Sequence, residues 1–222
     1  MARYLIHACN NRFWYVEKYL IPSMIKQGIK ASDISYYLDE KQQGNLTACM
    51  NAFLQVGDED GGTWHLQDDV IISSTFKQQT EQYDDGIVCG FASKYDSKEH
   101  LPGKVNVKDM WFSFPCIRIP NKIAKECAEW TLECIIGNPV YKTWWEKGVH
   151  DDMIFRRFVW EKYENETAVN LAPNVVNHID YLVGGSVNGR AREKKVLARY
   201  WNENKLLQQL ESELIKCQHS AQ

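Results

Sequence analysis

The chain has 222 residues, 44% hydrophobic and 25% charged, ordinary globular usage that excludes wholesale disorder. Its 26 basic and 29 acidic residues leave a formal net charge of -3. That excludes a general nucleic-acid-coating protein, so a nucleic-acid partner would have to be met by a local patch.

One domain is the expectation at this length, with burial of roughly 70–75% of the unfolded surface and no need for disulfides or a structural metal. No stretch reaches the ~20 apolar residues of a membrane span. The N-terminal run turns polar at Asn10, too soon for a signal peptide. The seven cysteines never fall in Cys-x-x-Cys spacing, so they read as reduced thiols and not as a zinc ribbon or disulfide framework. The expected compartment is the cytoplasm, of a cell or of an infected host.

Arg3 to Cys9 reads as a short buried strand ended by Asn10-Asn11. Phe13 to Gln27 has helical spacing, with a kink at Pro22 and a cap at Gly28. Asp33 to Leu38 is a second strand ending at Asp39, and Asn45 to Val56 a second helix. Strand–helix–strand–helix is the pattern of a parallel α/β sheet. Thr63 to Gln67 is a third strand running into Asp68-Asp69, and Val70 onward either continues it or begins a helix. Ile87 to Phe91 follows the turn Asp84-Asp85-Gly86 as a further strand. Ser93 to Lys108 reads as a surface loop, Met110 to Phe114 as a strand, and Pro120 to Ile136 as an amphipathic helix. Trp144 to Tyr163 is mostly helical after Gly148, and Val175 to Val183 is strand-like. From Arg190 onward a charged helix is expected, ending in Leu206, Leu207, Leu210, Leu214 and Ile215 at helical spacing.

Four places carry chemistry. Asp68-Asp69 puts two carboxylates at the C-terminal end of a strand, where α/β proteins bind ligands. Neighbouring carboxylates repel unless a cation or a donor ligand answers them; the plain alternative is a solvated turn. His150-Asp151-Asp152 stands at a helix start with Arg156 and Arg157 a turn later. It offers either an N-cap or a general base placed by a rigid helix end. His178 follows an apolar strand and precedes Gly184-Gly185-Ser186; it is either a core histidine or a ligand. Asn10-Asn11-Arg12 ends the first strand on the same rim, as a capping turn or a ligand contact.

Taken in order over residues 3 to 190, these motifs resemble the GT-A superfamily of nucleotide-sugar-dependent glycosyltransferases. The resemblance implies an α/β fold: one Rossmann-like GT-A domain over residues 1–190, a mostly parallel sheet flanked by helices, with a charged amphipathic helix over 191–222. In that family an Asp-x-Asp motif holds a divalent metal (Mn or Mg) and the donor; here Gln67-Asp68-Asp69 stands in its place. Asp69 and His178 are thus the implied metal ligands. Ala8, Asn10, Arg12, Asp39, Asp68, Arg156 and Arg190 are the implied donor contacts. Asp152 is the implied catalytic base, beside Asp151, which replaces the family's usual Glu. A UDP-sugar is the favoured donor. Trp111, Phe114 and Ser186 are the candidate acceptor contacts, with core packing as the alternative for the rings. The basic run Arg190, Arg192, Lys194, Lys195 and Arg199 is either a solvated face or a phosphate-contacting patch. Compact phage enzymes of this type glycosylate modified DNA bases. A hydroxymethylated base is therefore one acceptor class beside saccharides and proteins, and reaching it in a duplex requires extruding it. A nucleotidyltransferase and a non-catalytic nucleotide- or sugar-binding module are the competing readings. The first lacks its usual glycine in Cys9-Asn10-Asn11-Arg12, and the second has no use for the Asp69, Asp152 and His178 set.

Overall fold

A computed structural model describes residues 3–57, 60–93, 102–110, 112–147, 151–184 and 197–220. Its centre is a seven-stranded sheet in the order β2-β1-β3-β7-β5-β8-β6. The strands are β1 (Arg3–Cys9), β2 (Ile34–Asp39), β3 (Gly62–Gln67), β5 (Ile87–Cys89), β6 (Gly103–Asn106), β7 (Cys116–Pro120) and β8 (Thr167–Asn170). β1 runs parallel to both β2 and β3. β7 is antiparallel to β3 and β5, β8 is parallel to β5, and the edge strand β6 is antiparallel to β8. The fold is therefore α/β with a mostly parallel central sheet, consistent with a Rossmann-like arrangement.

Alternation along β1 divides the core. Tyr4, Ile6 and Ala8 face one buried cluster, and Leu5 faces another, as a strand buried on both sides requires. The first cluster holds α1 (Phe13–Tyr15), a wider π turn over Val16–Leu20, and α2 (Ile21–Lys26). Pro22 follows the π turn within one continuous helical stretch, where its ring removes a backbone donor from the ladder. Gly28 at φ +85 ends that helix while Ile29 N–H reaches back to Met24 O at 3.2 Å, a left-handed cap. The second cluster lies under α3 (Asn45–Leu54), α5 (Asn121–Gly137) and α7 (Asp151–Lys162), which pack on one another. α4 (Phe76–Thr80) and α6 (Pro139–Lys147) complete the middle of the chain.

A second, two-stranded sheet pairs β4 (Val70–Ile72) with β9 (Val176–His178), antiparallel, with Val70 opposite His178. α8 (Asp180–Val183) follows, and α9 (Asn204–Ser220) closes the chain. Leu207, Leu210 and Leu214 of α9 are buried in the first cluster.

Several expectations need correction. Met110 to Phe114 is not a strand: Phe112 and Phe114 are irregular backbone sunk into the core, and the ladder starts only after Pro115, at β7. β7 escaped notice because Arg118 interrupts its apolar run; its guanidinium instead donates to Gly86 O at 2.7 Å and Asp84 O at 2.5 Å. Part of the expected 93–108 loop is β6, whose Gly-Lys-Val-Asn sequence lacks a buried face because it lies at the sheet edge. β8, four residues long, is too short to stand out in the sequence. Val175 to Val183 divides into β9 and α8. The C-terminal helix begins at Asn204; Arg190 lies outside the described residues. Among the described residues no helix is long and apolar enough to cross a membrane. Cys9, Cys49, Cys89, Cys116, Cys127 and Cys134 are all free thiols.

Candidate functional site

In the sheet order, the chain leaves β1 toward β2 on one side and returns to β3 on the other. Such a reversal opens a crevice beyond the carboxyl ends of the strands. Three short segments end there: Asn10–Arg12, a 3-10 turn directly after β1; Asp39, the last residue of β2; and Asp68-Asp69, the turn between β3 and β4.

The Arg12 guanidinium lies across both acids. One terminal nitrogen is 2.7 Å from Asp68 Oδ1, and the other hydrogen-bonds Asp69 Oδ2. Asp68 Oδ2 accepts the Cys9 backbone N–H at 2.7 Å. His178 Nε2 stands 3.1 Å from Asp69 Oδ1. The β4–β9 pairing delivers this histidine, and Ile179 N–H to Asp69 O at 2.8 Å pins the turn. Arg12 is 8% exposed, Asp68 1% and Asp69 4%, so these charges answer one another largely out of water. Burial alone would raise Asp69, but Arg12 and His178 outweigh it and hold the carboxyl well below its usual range. Burial is the largest influence on Asp68 and pushes its carboxyl up, against the pull of Arg12. His178, which burial would lower, is raised by Asp69. Two contacts escaped the sequence reading. Asp180 Oδ1 lies 3.7 Å from His178 Nδ1, and Phe91 packs edge-on to the same ring. The spacing His178-Ile179-Asp180 was the available signal for the first.

The structure therefore brings together Arg12, Asp68, Asp69 and His178. Asp39 is buried on the same rim and accepts Gln43 N–H at 3.1 Å. Asn10 is exposed, with its amide donating to Glu40 O at 3.3 Å. Ala8 is buried within β1 and offers only backbone.

Asp151 and Asp152 open α7, both partly exposed, on the second cluster's side of the sheet. Asp152 Oδ1 accepts Met153 N–H at 2.8 Å. Burial, with the Asp152 carboxylate beside it, pushes the Asp151 carboxyl up to about 7. Arg156 stacks over the Trp160 ring at 4.1 Å. Beneath the sheet, His7 Nε2 and His65 Nδ1 are 2.9 Å apart, and both rings pack edge-on to Phe53. Phe114 packs on Phe53 and Phe155, and Phe112 on Phe155. At 6% and 1% exposure, neither ring is presented to an acceptor. Trp111, His150, Ser186 and Arg190 lie outside the described residues.

No family model matches the chain, and no curated protein matches it.

The donor set does not fit a divalent ion as it stands. Asp68 Oδ2 and Asp69 Oδ2 accept hydrogen bonds from Cys9 N–H and Arg12, while Asp68 Oδ1 and Asp69 Oδ1 lie within ion-pair distance of Arg12 and His178 but accept no hydrogen bond. Among the described residues no group of three or more His, Cys, Asp and Glu side chains could hold a metal ion. A hard cation needs several oxygens turned toward one point, and here the guanidinium holds that point.

Proposed function

We propose that this chain is a glycosyltransferase of the GT-A type, moving a sugar from a nucleotide-sugar donor, UDP-linked by preference, to an acceptor hydroxyl. One observation supports this best: buried polar side chains from the ends of β1, β2 and β3 gather where the strand order reverses, the ligand crevice of open α/β sheets. Donor binding falls to Asn10, Arg12, Asp39 and Asp68 at that rim, joined by Arg156 and Arg190. Cleaving a sugar–diphosphate bond needs charge stabilisation on the leaving group and a carboxylate to take the acceptor proton. Asp152 is the base that the motif order points to. Asp151, with its carboxyl at about 7, has the affinity that suits a proton acceptor at neutral pH. The acceptor contacts rest on Trp111 and Ser186, and a hydroxymethylated DNA base is the first acceptor to test, in the cytoplasm of a phage-infected host.

The closed acid cluster favours one second reading, a non-catalytic module for nucleotides or sugars. Thermal melting with nucleoside diphosphates and sugar nucleotides tests both. A ligand that binds only the native state raises the midpoint, and a UDP-sugar is expected to do so. Slow hydrolysis of that donor marks the transferase and its absence the module. No shift with any nucleotide, with or without Mn²⁺, removes both readings.

A further inference from the structure

The acid pair raises a question of charge that the proposed function leaves open. Two buried carboxylates next to each other demand a positive partner. A divalent ion is one answer; this chain carries another. Arg12 enters from the turn after β1, held by the strand register that places Cys9 beside Asp39 and Cys9 N–H on Asp68. Its planar fork matches two carboxylates better than a point charge would. His178 Nε2 stands 3.1 Å from the remaining oxygen, Asp69 Oδ1, placed there by the β4–β9 ladder. Arg12 Nε, Asp68 Oδ1, Asp69 Oδ1 and His178 Nδ1 are all buried without a hydrogen-bond partner, so the cluster is held by close ion pairing with one donor and two carboxylate acceptors left over. An orphaned donor on a side chain that is 8% exposed is costly unless an acceptor meets it.

We propose that Arg12 is the resident cation of this site: its guanidinium fills the position between Asp68 and Asp69 that a divalent ion would occupy, and the nucleotide diphosphate binds without a divalent ion. The ligand's identity rests on the proposed function; the occupancy by Arg12 does not. Displacing the guanidinium would strand a buried cation and exchange its two fixed carboxylate contacts for one ion. Replacing it with a shorter neutral side chain turns two carboxylates toward an open space and creates a cation site.

The test titrates Mn²⁺ alone, following free Mn²⁺ by its electron paramagnetic resonance signal. The parent protein and Arg12→Lys are expected to show no saturable binding in the millimolar range. Arg12→Gln is expected to gain one site, to melt below the parent in chelator, and to recover when Mn²⁺ is added. Asp69→Asn added to Arg12→Gln should abolish the new site. Saturable Mn²⁺ binding by the parent that Asp69→Asn removes would overturn the proposal, as would a folded Arg12→Gln that gains no site. If Arg12→Gln does not fold, the parent and Arg12→Lys titrations decide: Mn²⁺ bound by the parent overturns the proposal, and none bound by either upholds it. A parallel melt with UDP in chelator separates the two readings. Stabilisation there supports metal-free binding, stabilisation only with Mn²⁺ overturns it, and none under either condition overturns the proposed function and leaves Arg12 to the Mn²⁺ titration.

Discussion

Asp151 and Asp152 are adjacent in sequence yet differently placed in chemistry. Asp152 Oδ1 accepts the N–H of its immediate neighbour Met153 within the first turn of α7. Asp151 has its proton affinity raised by burial and by its neighbour. A base is needed in the transition state far more than in the ground state, so its loss lowers kcat and spares donor affinity. Asp152→Asn is expected to lower turnover by ~10²–10⁴-fold with unchanged nucleotide binding, because the amide oxygen can still accept the Met153 N–H. Steady-state rates and a nucleotide titration on the same preparation check this. If Asp151→Asn carries the loss and Asp152→Asn does not, the base is the first carboxylate. If both variants melt early and turn over normally per folded molecule, the pair only stabilises the first turn of α7.

At the scale of elements, β1 and β3 place a histidine pair under the sheet whose titration opposes that of α7. Burial lowers the His7 imidazole to about 4, and burial, with His7 beside it, holds His65 well below its usual value. The unfolded chain protonates these rings first, near pH ~6.5, so their contribution is present above that value and lost as pH falls toward 4. Asp151 works the other way. The native state holds its proton more tightly, so its contribution is present at low pH and lost as pH rises through about 7. The parent should therefore show a shallow stability profile between pH ~4 and ~6.5. Asp151→Asn should steepen the loss on acidification, and His7→Leu with His65→Leu should leave stability falling as pH rises. Urea unfolding at stepped pH reads this, and three superimposable profiles would refute it. The parallel half of the fold was legible in the chain because β1, β2 and β3 are apolar runs with helices and glycines between them. The other half of the sheet was not: β7 carries a charge that tertiary carbonyls satisfy, and β6 and β8 are short. In the site, the acid pair and His178 stood out as titratable groups at strand ends. That Arg12 would lie between the acids was not legible, since nothing local distinguishes a buried arginine from a solvated one.

Across the whole molecule, the sheet and the last helix share one core. Leu214 is 1% exposed among the residues that also hold Tyr4, Trp64 and Val176, and Tyr181 O–H of α8 donates to Glu211 of α9 at 2.6 Å. α9 thus braces α8, which begins at Asp180 and directly follows His178 at the end of β9. Leu214→Ala is expected to cost ~2–5 kcal/mol, read as a lower urea midpoint with an unchanged slope. A cost near zero would mean that α9 is an appendage. The ribbon of β4 and β9 joins Val70–Ile72 to Val176–His178 across more than a hundred intervening residues, and pairing at that separation is slow to close. During synthesis the first half of the sheet leaves the ribosome with its acid pair answered by Arg12 alone. The nascent chain cannot complete the cluster until β9 has emerged, so the crevice is among the last parts of the protein to mature.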